Sequence, residues 1–301
     1  MLTSSSRALV YWLNTLMSYK LEMEFDVPLK KMIYLDYNLF ESYRQDDIPG
    51  LRAAVDAIKD KHILPYSPAH MEDLASSLMW KEHNEEEIRI LLERSEDRLQ
   101  NVINISKMVE LLPAPDHQPT YVDREHPGEC LIRVLRHFDR NEFLEVREHN
   151  FLKGMKENDV AGKRASKVSN LPVDFLSTPD FDTAILEGYA AEHALLLKKK
   201  EAGLENFKWP EISKSHEVLE HVFEVLMNYL EEIRFRPEDV KLSRSRMHDV
   251  THSIYATKAD YFITGDNRFY HKVRAVYDYL GVPTKVLSRD EFLQLGGLSF
   301  E

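Results

Sequence analysis

SRMHDVTHSIYATKADYFITGD, residues 245–266, runs a helical pattern into a short apolar strand and carries an acid on each. Asp249 lies in the helical part, where Met247, Val250 and Ile254 recur on the apolar side. Asp266 follows Tyr261-Phe262-Ile263-Thr264 and Gly265. In an open α/β sheet, sites form in the crevice at the carboxyl ends of the strands, so an acid just beyond such a strand is a candidate for that crevice. Aspartate beside glycine is also a residue pair that simply opens a turn.

The same arrangement recurs near the N-terminus. Met32-Ile33-Tyr34-Leu35 is a strand-like run ending in Asp36, with Asn38 two residues on, and His62-Ile63-Leu64-Pro65-Tyr66 is a second run ending at Ser67. Ser67 is a good N-cap and Pro68 suits the first helical position, while Met71, Leu74, Ala75 and Leu78 follow at helical spacing. His70 and Asp73 are three apart on that helix, as are Asp249 and His252 on the later one, with Ser253 and Ala256 on the same side. Two strand-end aspartates and two helix-borne aspartates can thus converge on one crevice.

LDYN at 35–38, YSPAHMEDL at 66–74, HDVTHSIYA at 248–256 and YFITGD at 261–266 together resemble the acidic signature of the PIN-domain nucleases. The resemblance covers roughly residues 31–80 and 243–290, and it rests on the order and context of all four motifs. It implies a PIN-like three-layer α/β fold. It also implies that Asp36, Asp73, Asp249 and Asp266 form the catalytic and metal-binding set, with Glu72 competing with Asp73 for the second position. Asn38 and Thr264 match positions that steady the first carboxylate and the strand end. His70 and His252 match only a subset of the family, where each is either near the scissile phosphate or bonded to a neighbouring carboxylate. Asp260 reads as a turn or cap residue.

Gathered carboxylates repel one another unless a cation neutralises them, and an all-oxygen set suits Mg²⁺ or Mn²⁺ rather than zinc. The activity that the resemblance implies is metal-dependent hydrolysis of RNA phosphodiester bonds, an endoribonuclease leaving a 5′-phosphate and a 3′-hydroxyl. Asp36 and Asp266 are expected to ligate directly, with Asp249 and Asp73 completing the set. At family level, the implied setting is a toxin or defence effector with an inhibitory protein partner, and homodimers are common. The other readings are a DNA nuclease and a catalytically silent PIN-like module for RNA binding or protein assembly. A dehalogenase-type phosphatase would need an acid where Asn38 stands, and nucleophile-elbow glycines are lacking.

At 301 residues and 43% hydrophobic content the chain can bury a substantial core. A single cysteine, Cys130, excludes an intramolecular disulfide framework and a cysteine-rich zinc site. No apolar run approaches the roughly 20 residues of a membrane span. The stretch Ala8 to Tyr19, interrupted by Asn14 and Ser18, reads as an amphipathic helix, and the cytoplasm is the expected location. The net charge of −12 runs against the basic surface usual in proteins that grip nucleic acid. Local basic groups exist nonetheless. Lys153, Lys156, Lys163, Arg164 and Lys167 form one; Arg234, Arg236, Lys241, Arg244 and Arg246 precede the Asp249 helix; Arg268, His271, Lys272 and Arg274 follow Asp266. The last two flank the acids, so Arg244, Arg246, Arg268 and Lys272 are the candidate phosphate contacts.

The expected organisation is an N-terminal helical extension over 1–30, a first half of the core over 31–80, an enlarged all-helical insertion over 81–240, and a second half over 241–301. Helical crossovers predict a mainly parallel sheet of about four or five strands. Within the insertion, Ile88 to Leu111 reads as one long helix, with others over Leu131–Phe143, Ala184–Leu197 and Val218–Ile233. After Asp266 come a helix over Phe269–Leu280, a strand over Thr284–Leu287, and a capping box at Ser288-Arg289-Asp290-Glu291.

Overall fold

The computed structural model describes residues 30–78, 85–113, 120–137, 171–182, 184–185, 208–236 and 245–295. The N-terminal extension, the basic group at 153–167, Lys241, Arg244 and most of the helix expected over 184–197 lie outside the described residues.

The fold is α/β. Its parallel sheet contains β1 (Ile33–Leu35), β4 (Tyr261–Thr264) and β5 (Lys285–Ser288), in the order β1-β4-β5. β2 (Val109–Leu112) and β3 (Tyr121–Arg124) form an antiparallel pair. The second expected strand is not a regular one. It joins the two sheets through isolated parallel bridges, Met32 to Ile63 and Tyr66 to Glu110. Backbone bonds support both: Ile33 N donates to Ile63 O at 2.8 Å, and Leu111 N donates to Tyr66 O at 2.8 Å. Laterally the chain therefore runs β5, β4, β1, residues 63–66, β2, β3.

From β1 the chain passes through α1 (Tyr37–Gln45) and α2 (Leu51–Lys59) to residues 63–66, then through α3 (Pro68–Leu78) and α4 (Glu85–Ser106) to β2. α5 (Pro127–His137) packs on α3. Much later, α7 (His216–Glu232, after the short α6, Trp209–Ile212) and α8 (Ser245–Ala256) lead back to β4, on the opposite side of β1. α9 (Asn267–Leu280) crosses to β5, and α10 (Arg289–Leu295) ends the described chain. The direction of winding reverses between β1 and β4, and the crevice at such a reversal is where ligands bind in open α/β sheets.

Alternation along the strands separates two cores. Tyr34 and Phe262 face one that includes residues of α7, α8 and α9; Ile33, Leu35, Tyr261 and Ile263 face the other, with residues of α1, α2, α4 and α5. This is the period of two that β-structure imposes, and it gives helices on both faces of the sheet.

The parallel sheet has three strands among the described residues, where four or five were expected, and two further elements correct the expectation. Residues 81–240 are not all helical, because α4 stops at Ser106 and Leu111 belongs to β2. Lys107 and Met108 end the helix in left-handed conformations (φ 51° and 63°) without a glycine to signal it. α1, directly after Asp36, was not anticipated. The terminal capping box forms as expected: Glu291 N donates to Ser288 Oγ at 3.2 Å and Ser288 N to Glu291 Oε2 at 2.7 Å.

Candidate active site

Asp36 and Asp266 stand at the carboxyl ends of β1 and β4, one on each side of the reversal. Asp36 is 2% exposed, its N–H donates to Ile263 O at 2.9 Å, and its Oδ2 accepts from Thr264 Oγ1 at 2.8 Å. Thr264 Oγ1 in turn accepts from Asp266 N at 3.1 Å, so one hydroxyl ties the two strand ends together. Asp266 is exposed and caps α9: its Oδ1 accepts from Arg268 N at 2.7 Å and Phe269 N at 2.9 Å. The turn-opening role and the crevice position therefore coexist in one residue, since capping occupies only Oδ1.

Burial pushes the Asp36 pKa up; His252 and the Thr264 hydroxyl pull it down, and Asp73 and Asp266 push it up again. Three carboxylates thus lie within electrostatic reach, and neither lysine nor arginine is among the groups that act most strongly on Asp36. Of Glu72 and Asp73, it is Asp73 that is among the groups acting most strongly on Asp36, and Glu72 is among those acting on Tyr255. Asp249 is half-buried on α8, one turn before His252.

Beneath the carboxylates lies a buried polar hub centred on Tyr34, which shares a strand face with Asp36. Tyr34 Oη meets Ser67 Oγ at 2.6 Å and His252 Nδ1 at 2.8 Å. His252 Nε2 donates to Asp73 Oδ2 at 2.9 Å, joining α8 to α3 across 179 positions of sequence. His70 Nε2 donates to Leu35 O at 2.9 Å, and its Nδ1 accepts from Ser67 N at 3.1 Å. With both nitrogens committed and burial holding its pKa well below the usual range, His70 is a neutral framework residue. His252, by contrast, touches a member of the acid set.

Sequence reasoning missed Tyr34 as the hub. The available signal was a polar tip inside an otherwise apolar strand, two residues before the acid. Asn38 is exposed in the first turn of α1. Arg268 is exposed beside Asp266, whereas Lys272, expected on the phosphate track, is 2% exposed and ion-paired with the equally buried Glu231. α9 turns Lys272 toward α7, so it reaches no ligand in the crevice. Arg246 lies in the first turn of α8. Asp260 accepts from Met32 N at 2.8 Å at the far, amino end of the strands, a turn role.

A second polar cluster was not anticipated. Glu110, Glu125 and Cys130 bring ligand atoms within 4.8 Å of one another. Arg133 lies among them, pairing with Glu110 Oε1 at 3.1 Å and with Glu125. A guanidinium already supplies the cation there, and burial keeps the Cys130 thiol protonated by pushing its pKa up.

No protein-family model, curated protein or solved structure matches this chain. Among the described residues, no helix is long and apolar enough to cross a membrane.

Proposed function

We propose that the chain is a Mg²⁺- or Mn²⁺-dependent endoribonuclease of PIN-like fold. The observation that carries this reading is the buried Asp36 carboxylate at the winding reversal, with Asp266 and Asp73 close by and neither lysine nor arginine among its strongest neighbours. The donor set fits a hard divalent ion: oxygen atoms only, with one oxygen of Asp266 left over from capping. Asp36 and Asp266 would hold such an ion, with Asp73 and Asp249 completing the set. Bound there, it would supply Lewis-acid activation of water and stabilisation of the leaving oxygen.

The chain's own residues do the rest. Thr264 fixes one Asp36 oxygen and so aims the other. His252 fixes one Asp73 oxygen in the same way, and Tyr34 holds the imidazole from behind. Burial around Asp36 strengthens the charge interactions of its own carboxylate.

The net charge of −12 favours one other reading, a silent PIN-like module acting through a protein partner. Cleavage of labelled single-stranded RNA and DNA with Mn²⁺, Mg²⁺ or EDTA separates the two, comparing wild type with Asp266→Asn. RNA cleavage that needs the ion and disappears in the variant is the expected outcome. Intact substrate, together with calorimetry showing no Mn²⁺ binding to the folded chain, would leave the binding module.

A further inference from the structure

α9 turns most of its surface inward, and its most accessible stripe starts beside Asp266. Asn267 and Asp278, both exposed, and His271 and Arg274, both half-buried, recur at helical spacing along that stripe, and Arg268 is exposed in its first turn. His271 and Arg274 therefore lie about 7 and 12 Å along the axis from Asp266, at a rise of roughly 1.5 Å per residue.

A second element brings another cation to this stripe. The turn after α7 is anchored by Phe235, 1% exposed and packed on Phe175 at 4.7 Å between ring centroids. Arg234 and Arg236 on either side of it both adopt left-handed backbone (φ 64° and 48°). The first is accounted for by the helix end, where Phe235 N donates to Leu230 O at 2.8 Å. The second is again a non-glycine residue in a region that side chains rarely adopt, which strains the backbone. Its side chain adds a further cost, because Arg236 Nε is buried with no hydrogen-bond partner.

Arg236 and Arg274 both act on the His271 imidazole, which burial first and these guanidiniums second hold below its usual pKa. Arg274 stacks over the Tyr270 ring at 5.2 Å and donates to its hydroxyl at 2.6 Å. The acid near this group is Glu291, whose oxygens accept from Ser288 N and Oγ and from Tyr270 Oη. Lys272 is neutralised by Glu231 on the inner face. In a chain of net charge −12, like charges have thus been collected against their mutual repulsion, with an unsatisfied donor among them.

We propose that Arg236, Arg274 and His271 form an anion subsite that seats phosphates of a single-stranded nucleic acid running along α9 away from Asp266. The subsite rests on the nuclease reading and gives it a direction: the strand leaves the acids over the accessible stripe of α9, and Arg268 covers the first step. Phosphate oxygens would pair with the Arg236 and Arg274 guanidiniums and relieve the repulsion between them.

The test is fluorescence anisotropy of a short labelled oligouridylate with the full chain in EDTA, over a range of salt. The double variant R236Q/R274Q is compared with K61Q/K258Q, which removes the same charge from exposed residues at the amino edge of the sheet. Calorimetry with Mn²⁺ alone on each protein tests the acid site separately. Expected is a loss on the order of tenfold in affinity at 0.1 M salt and a salt slope reduced by about 1.4 in R236Q/R274Q. K61Q/K258Q should bind as wild type, and Mn²⁺ binding should be unchanged throughout. R236K/R274K, retaining the charge, should keep the wild-type slope, which guards against misfolding as the cause. Equal binding by both glutamine variants, equal loss in both, or no binding by wild type would each overturn the subsite. Failure of Mn²⁺ binding in wild type would instead overturn the nuclease reading beneath it.

Discussion

On the proposed reading, the Asp266 carboxylate serves the fold and the acid site at once. Its Oδ1 caps α9 through two backbone N–H groups, so substitutions at this position separate the two roles. Asp266→Ala should lower stability by about 1 kcal/mol through loss of the cap, whereas Asp266→Asn, also a good cap, should not. Both should lose Mn²⁺ binding. Urea unfolding in EDTA paired with calorimetry checks this, and an alanine variant as stable as the asparagine one would remove the capping argument. Tyr34 makes the complementary case. Tyr34→Phe deletes a hydroxyl that bridges Ser67 and His252 in a fully buried place, and should cost about 1–3 kcal/mol by leaving those partners short of a bond. A urea midpoint unchanged from wild type would show that the hub rearranges without it. The acids themselves were legible because each follows a strand or sits at helical spacing. The hub was not, because Tyr34 reads as one more apolar strand residue until its hydroxyl is placed between the start of α3 and α8.

α3, α8, α9 and α10 were readable because caps and periodicity agreed there. Ser67-Pro68 opens α3, and Ser288 and Glu291 form the reciprocal cap expected of them. β2 was missed for a physical reason: four consecutive buried residues, Val109 to Leu112, have neither the alternation of a half-exposed strand nor a glycine before them. What defines that strand is long-range pairing with Tyr66 and with β3. β2 also carries a strongly perturbed acid. Burial, followed by the nearby Glu125, pushes Glu110 up to about 8 from 4.5. The folded chain therefore holds a proton that the unfolded chain releases. Stability should be greatest below about pH 4.5 as far as this group is concerned, and should fall as pH rises through about 8. Glu110→Gln mimics the protonated acid and should flatten this fall, so that the variant gains on wild type most at alkaline pH. Melting temperatures of both proteins from pH 5 to pH 9 test it, and parallel profiles would mean that Arg133 keeps Glu110 ionised.

Over the whole molecule, the acid set joins parts of the chain that no local structure connects. Asp36 and Thr264 are 228 positions apart, and Asp73 and His252 are 179 apart. A cation held by Asp36, Asp73 and Asp266 would bind the two halves of the sheet to each other and to α3, so its binding energy is folding energy. Without it the same carboxylates oppose folding. The raised pKa of Asp36 means that the folded chain prefers the protonated acid, so stability falls as pH rises from the ordinary aspartate range through the folded pKa. Asp36→Asn removes that opposition and should be more stable than wild type in EDTA at neutral pH. The order should reverse with Mn²⁺, which at one hundred times its Kd should stabilise wild type by about 2.7 kcal/mol and the variant hardly at all. Thermal unfolding of both proteins in EDTA and in a Mn²⁺ series decides the matter. Equal stabilisation of both would place the ion elsewhere. The Glu110, Glu125 and Cys130 group is then the place to look, and Glu110→Gln in the same series would show whether Arg133 yields to a metal there.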